Sequence, residues 1–281
     1  MSFTRPGLVR DGRVIDISSH YASLNDVIVD GDSALARVGE IDDAGAVNLS
    51  EVRLRAPLVP QNIFCVGWNY LKHFEEGAAK RDEKLPEHPA FFSKAFGTVI
   101  GPEDDIPAHS DVTRSLDYEV ELTAVIGAPG ASMTRETALD NVFGYTVGND
   151  VSARDVQRRH GGQWLKGKSL DGLCPLGPWI VTRDEIPDPQ KLEVSCRVNG
   201  EERQRSTTDL MIFPVAELIS RLSEGMTLQP GDILLTGTPE DVAMGMDDPT
   251  YLMPGDTVEC EVSSVGVLRN AVSDSPAGSA R

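Results

Sequence analysis

The run from Leu116 to Ala124, LDYEVELTA, restricts the fold more than any other part of the chain. Leu116, Tyr118, Val120, Leu122 and Ala124 fall on one parity, and Asp117, Glu119, Glu121 and Thr123 on the other. Successive side chains of a strand point to opposite faces, so this pattern is a strand with one apolar face on a core. The other face carries three acids in a row. That face either meets water or holds a cation. A solvated face is the ordinary use of such a pattern. Against it, like charges two residues apart on one face repel, and Asp and Glu are poor strand formers. A pair of carboxylates at fixed spacing suits a hard divalent ion, magnesium or manganese, which prefers oxygen ligands. A third acid must come from elsewhere. Asp150, at the end of the strand-like VFGYTVGND, is the best placed, although an Asp there would serve equally well as a helix cap.

The remaining segments are mostly strands. RPGLVRDGRVIDIS reads as a hairpin turning at Asp11-Gly12, and SLNDVIVDGDSALARVGEI as polar helix. VRLRAPLV alternates as a strand up to Pro60. Residues 1–58 thus form a small β-rich N-terminal domain, followed by a larger domain over 59–272 and a disordered tail over 273–281. In the larger domain NIFCVGWNY is a buried strand, and LKHFEEGAAKRDEKLPEHP a helix with a long loop, the composition of a lid. Thr134 is positioned to cap a short helix ending at Asn141. SARDVQRRHG is a short basic helix, and Asn199-Gly200 joins two strands as a hairpin turn. Val215, Leu218, Ile219 and Leu222 recur at helical spacing, and LQPGDILLTGTP and LMPGDTVECEVSSVGVLRNAV each read as a strand opened by Pro-Gly-Asp. Strands outnumber helices, so the expected fold is strand-rich α+β with a mixed, curled sheet.

Bulk properties narrow the function. A formal net charge of -18 disfavours a nucleic-acid phosphate track. No apolar run approaches the roughly 20 residues of a membrane span, and the N-terminus lacks the apolar core of a signal peptide, so a cytoplasmic location is expected. Cys65, Cys174, Cys196 and Cys260 show no zinc spacing and read as buried free thiols.

Three further clusters carry possible chemistry. His73 and Glu76 share a helical face, and a His beside a carboxylate can act as a base; an ordinary surface helix looks the same. Lys168, between Gly167 and Ser169, can meet a carboxylate or a developing enolate, or be simply solvated. Thr236-Gly237-Thr238-Pro239 ends a buried strand and offers N–H groups and hydroxyls to an anion, or is a plain turn.

Taken in order, these segments resemble the fumarylacetoacetate hydrolase family over roughly residues 60–272, through VGWNYLKHFEE, FFSKAFGTVIGP, LDYEVELTAVIG, GYTVGNDVSARDVQ, GKSLDGLCPLGPWIVT, LQPGDILLTGTP and MPGDTVECEV. The resemblance implies the β-roll catalytic domain of that family and a magnesium or manganese ion on Glu119, Glu121 and Asp150. It implies a catalytic His73–Glu76 dyad on a lid, a catalytic Lys168, and substrate contacts from Lys94, Gln157 and Thr238. Arg154 is expected in a structural salt bridge and Asp117 in support of the strand. The implied substrate is a 2-oxo acid chelating the metal, and the implied partner a second copy of the chain, as a homodimer. Hydrolysis of a C–C bond in a 2,4-dioxo acid is the main expectation, because the dyad can activate water. Decarboxylation, isomerisation or hydration of a 2-oxo acid in the same site is the alternative, with a non-catalytic cation-binding module as a reading of another class. The chain departs from the family at Asp241, where members often have Gly in Thr-Pro-x-Gly, and at Trp68, where they have a smaller residue.

Overall fold

The computed structural model describes residues 4–81 and 84–274. The first hairpin forms as expected. β1 (Gly7–Arg10) pairs antiparallel with β2 (Arg13–Asp16), and the turn residues Asp11 and Gly12 have φ of 49° and 72°. Two left-handed residues in succession give the turn whose twist matches a hairpin. β3 (Val47–Asn48) extends this sheet. The polar stretch is α1 (Leu24–Asp30) and α2 (Asp32–Gly39), with the Ser23 hydroxyl accepting from Asp26 N–H to cap α1. VRLRAPLV does not become a strand. Pro57 and Pro60 interrupt its ladder donors, and Arg53 and Arg55 turn to Asp104, at 3.0 and 3.1 Å.

The following strands are β4 (Ile63–Gly67), β5 (Ala90–Ser93), β6 (Val99–Ile100), β7 (Ile106–Pro107), β8 (Leu116–Asp117), β9 (Val120–Ile126), β10 (Val142–Asn149), β11 (Ser152–Ala153) and β12 (Cys174–Thr182). Then come β13 (Glu193–Val198), β14 (Glu201–Thr207), β15 (Ile233–Leu235), β16 (Thr257–Val262) and β17 (Gly266–Ser273). The helices are α3 (Leu71–Arg81), α4 (Arg154–Arg159), α5 (Leu165–Lys168) and α6 (Val215–Leu222).

Seven strands pair in the order β5-β4-β15-β9-β10-β12-β6, and five in the order β14-β13-β16-β17-β7. The larger sheet is mixed: β4 and β15 are parallel, as are β12 and β6, and the pairs between β15 and β12 are antiparallel. Register shifts on both flanks of β10 bend the sheet, and it curls. The fold is strand-rich α+β, as its segment pattern predicts.

Both faces of β9 are covered. Val120, Leu122 and Ala124 join Val194, Cys196, Val258 and Cys260 of the five-stranded sheet in one apolar cluster. Val125, on the acidic parity, joins Ile63, Cys65 and Leu235 in a second cluster with Tyr21, Val27 and Ile28. Every residue from Val120 to Ile126 is buried, as are Asp117 and Glu119, so the acidic parity is not a solvated strand face. All four cysteines are buried free thiols. No helix among the described residues is long and apolar enough to cross a membrane.

Two local expectations change. The segment after Thr134 forms only a 3-10 turn, Ala138–Asn141. The last Pro-Gly-Asp stretch holds two strands rather than one, β16 and β17, because Ser264 takes a left-handed φ of 61° and reverses the chain. Ser273 ends β17, and the tail expected beyond it lies outside the described residues from 275 on.

Candidate active site

The site stands where the carboxyl ends of β4, β15 and β10 meet the start of β9. Just before β9 the chain hands its pairing from β11 to β10. At this crossing Glu119 C=O accepts from Asp150 N–H at 2.9 Å, and Glu119 N–H donates to Asn149 Oδ1 at 3.0 Å. The backbone clamp brings the two acids together, and the strand period brings Glu121 to the same side. Glu119, Glu121 and Asp150 are buried, and each offers an oxygen within 4.8 Å of the others.

Three cations surround them. Lys168 Nζ lies 2.6 Å from Glu119 Oε2 and 2.7 Å from Asp150 Oδ2. Lys94 Nζ donates to Asp150 Oδ1 at 2.6 Å and to Val151 C=O at 3.0 Å. Arg154 donates to Asp117 Oδ2 at 2.8 Å and to Glu119 Oε1 at 2.5 Å. Asp117 completes the frame by accepting from Ala243 and Met244 N–H, at 2.9 and 3.1 Å. Lys94, Arg154 and Lys168 thus stand against Asp117, Glu119, Glu121 and Asp150, leaving one surplus negative charge.

A buried surplus charge is costly unless a proton or a cation answers it. It falls on Glu121, whose carboxyl is pushed well above the ordinary range by burial and then by the charges of Asp150 and Glu119. Burial also acts to raise Glu119, but Arg154 and Lys168 outweigh it and hold that carboxyl below its usual range. An all-oxygen donor set with surplus negative charge fits magnesium or manganese.

A cavity of about 730 Å³ opens over Glu119, Glu121 and Lys168. On its rim, α3 holds His73 Nδ1 3.0 Å from Glu76 Oε2. A carboxylate only accepts, so Nδ1 carries the hydrogen and Nε2 is left for a substrate. Glu76 Oε1 accepts from Asp241 N–H at 2.5 Å, which engages both carboxylate oxygens.

A family profile described as fumarylacetoacetate (FAA) hydrolase C-terminal matches residues 62–273. The chain belongs to the fumarylacetoacetate hydrolase family. It is 42% identical over 272 residues to the oxaloacetate tautomerase YisK of Bacillus subtilis (strain 168), covering 92% of this chain and 89% of the relative. A solved fumarylacetoacetate hydrolase from psychrophilic Exiguobacterium antarcticum superposes with a TM-score of 0.85 at 41% identity, over 96% of this chain and 95% of that one. A maleylpyruvate hydrolase from Sphingobium sp. SYK-6, solved with manganese(II) and pyruvate, gives 0.79 at 28% identity over 96% of each chain.

Within this fumarylacetoacetate hydrolase fold, the site residues singled out from the sequence come together, and all but Asp150 and Lys94 line the cavity. Gln157 and Thr238 line the cavity; Gln157 Oε1 accepts from Arg154 at 3.4 Å, and the Thr238 hydroxyl accepts from Gln204 at 2.9 Å. Lys94 does not reach the cavity wall. It sits behind Asp150, so the expected substrate contact becomes a support for that carboxylate. Arg154 does more than a structural salt bridge, since it lines the cavity and touches Glu119. The two departures also have a local meaning. Asp241 has φ of 68° and Trp68 φ of 55°, the left-handed region that glycine fills without strain. Asp tolerates it better than most residues, whereas for a bulky Trp it is an outlier.

The sequence reading missed an aromatic wall. Trp164 packs edge-on against Trp68 at 4.7 Å and Phe92 at 5.1 Å, and the Lys168 ammonium lies 5.1 Å from the Phe92 ring. Gln204 was missed as well. Fully buried on β14, it accepts from Val120 N–H and donates to Thr238 and to the Pro239 and Glu240 carbonyls. A Trp in GGQWLKGK, just before α5, was a usable signal; nothing distinguished Gln204 in EERQRST.

Proposed function

We propose that the chain is a divalent-metal-dependent tautomerase that interconverts the keto and enol forms of an oxaloacetate-like 2-oxo acid. The observation that carries this reading is the 42% identity over 272 residues to an oxaloacetate tautomerase, in a chain whose dyad is built as a proton carrier. Glu76 has both oxygens engaged, by His73 Nδ1 and by Asp241 N–H. It is therefore an orienting group, and the dyad offers one imidazole nitrogen as a proton carrier. Tautomerisation needs no more. Hydrolysis, the main expectation from sequence, would use the same imidazole to activate a water, and it is the similarity to an oxaloacetate tautomerase that favours the alternative passing through an enolate alone.

Glu119, Glu121 and Asp150 would hold the ion, which when bound supplies Lewis-acid polarisation of the 2-oxo group. Enolisation moves one proton from carbon 3 to the 2-oxo oxygen. His73 Nε2 takes it from carbon, and the electron pair left behind forms the carbon 2–carbon 3 double bond. Glu76 accepts from Nδ1–H and stabilises the imidazolium, which then returns the proton to oxygen. The Lys168 ammonium faces the negative charge growing on that oxygen. Gln157 and Thr238 present an amide and a hydroxyl to the substrate carboxylate, and Trp68, Phe92 and Trp164 exclude water from one side.

A second reading is C–C hydrolysis of an acylpyruvate, favoured by the cavity of about 730 Å³, roomy for a four-carbon acid, and by the two hydrolases of similar fold. One experiment separates them. Enol-oxaloacetate and an acylpyruvate are offered with magnesium or manganese while enol absorbance and released pyruvate are followed. Fast enol decay without pyruvate is the expected result. Pyruvate release from the acylpyruvate at a higher kcat/KM than enol decay would overturn the tautomerase reading.

A further inference from the structure

α4 sends Arg154, Gln157 and Arg158 to the cavity. Spaced at i, i+3 and i+4, they form one face of the helix. Arg154 is committed, buried on Asp117 and Glu119, while Gln157 accepts from Arg154 through its amide oxygen alone. Arg158 is exposed and has no carboxylate partner among the described residues. Its neighbour Arg159 behaves as an ordinary surface arginine, 3.9 Å from Asp155 of the same helix and away from the cavity. Adjacent arginines therefore have different surroundings, and the one without an acid is the one that faces the cavity.

Its position along the cavity matters. Arg158 is four residues beyond Arg154, or about 6 Å along a helix. The Arg154 guanidinium already touches Glu119, one of the three clustered carboxylates. A 2-oxo acid seated with its keto-acid end at that cluster would have its remaining carbons in the same cavity, whose wall includes Arg158. The wall formed by Trp68, Phe92 and Trp164 supplies apolar surface and no charge.

We infer that Arg158 is a specificity residue, receiving the second carboxylate of a dicarboxylic 2-oxo acid in a two-bond guanidinium fork. The inference rests on the reading of this cavity as a 2-oxo acid site. It adds which end of the substrate is selected and by which side chain.

The test is titration calorimetry on the full chain loaded with magnesium, comparing freshly dissolved oxaloacetate with pyruvate, which shares the 2-oxo acid end and lacks the second carboxylate. The wild-type protein is expected to prefer oxaloacetate by about tenfold, the lower end for a hydrogen-bonded charge pair because Arg158 is exposed. Arg158→Gln should bring the ratio close to one and leave pyruvate affinity unchanged. Arg158→Lys should keep part of the preference. No wild-type preference, a preference that survives Arg158→Gln, or an equal loss for both ligands would each overturn the inference. A wild-type preference that Arg158→Gln removes, in a protein without tautomerase turnover, would sink the proposed function and leave the role of Arg158 standing.

Discussion

Lys168→Met tests whether the carboxylate cluster is held together by charge that a metal ion can replace. Lys168 Nζ bonds Glu119 and Asp150 at 2.6 and 2.7 Å, and its side chain is 3% exposed. Burial acts to lower its pKa, but the charges of Asp150 and Glu119 outweigh it and raise it, so the group stays an ammonium. Methionine keeps the length of the chain and removes the charge. Deleting one side of a buried ion pair costs about 3–5 kcal/mol, because the remaining charges are uncompensated. Two charge-assisted hydrogen bonds at about 1.5–3 kcal/mol each give a similar figure. Lys94 still holds Asp150 and Arg154 still holds Glu119, which places the expectation at the lower end, about 3 kcal/mol. At about 2–4 °C per kcal/mol, melting should fall by roughly 6–12 °C. That fall applies in chelator. Saturating manganese would supply positive charge to the same carboxylate cluster and should recover most of it, while turnover with metal stays about 10²–10³-fold down for want of the ammonium. Calorimetric melting of both proteins, in chelator and in manganese, gives the answer. An equal fall in both conditions, or none in chelator, would refute the reasoning.

Other perturbations read out different parts of the site. His73→Gln should lower kcat by about 10²–10⁴ while metal affinity by calorimetry stays unchanged. Gly245→Val should place a Cβ 2.9 Å from the Glu76 carboxylate, tilt the dyad and lower kcat by about 10–100-fold with metal binding intact, as steady-state kinetics and calorimetry together would record. Because burial and then the charges of Asp150 and Glu119 keep the proton on Glu121 above the ordinary carboxylate range, an incoming ion must displace it. Metal affinity should therefore rise with pH through that range and upward, with protons released; titrations in buffers of different ionisation heat that detect no release would contradict this.

Much of the site was legible because its residues sit at period-two or turn positions. The parity of LDYEVELTA put Glu119 and Glu121 on one side, and Asn199-Gly200 and Asp11-Gly12 form the turns their chemistry demands. Periodicity is silent about what lies over a face. The acidic side of β9 could have been wet; it is covered because β9 is interior in a sheet packed on both sides. The same silence hid Gln204, which lies on a parity of β14 that carries no apolar residue to mark it as buried. VRLRAPLV has the right alternation and no partner strand, since pairing is a tertiary property that a local pattern cannot supply. Lys94 could be assigned to the site by resemblance, but which side of Asp150 it would stand on could not.

Gln204 has a consequence for anyone who would re-engineer selectivity. Its carboxamide ties the start of β9, the Thr238 hydroxyl and the carbonyls of residues 239 and 240 to a hairpin of the other sheet. Transplanting the 193–207 hairpin from a cousin with a different residue there would reach the reacting end of the molecule without altering one side chain of the cavity. Scaffold and specificity are in that respect a single inherited unit.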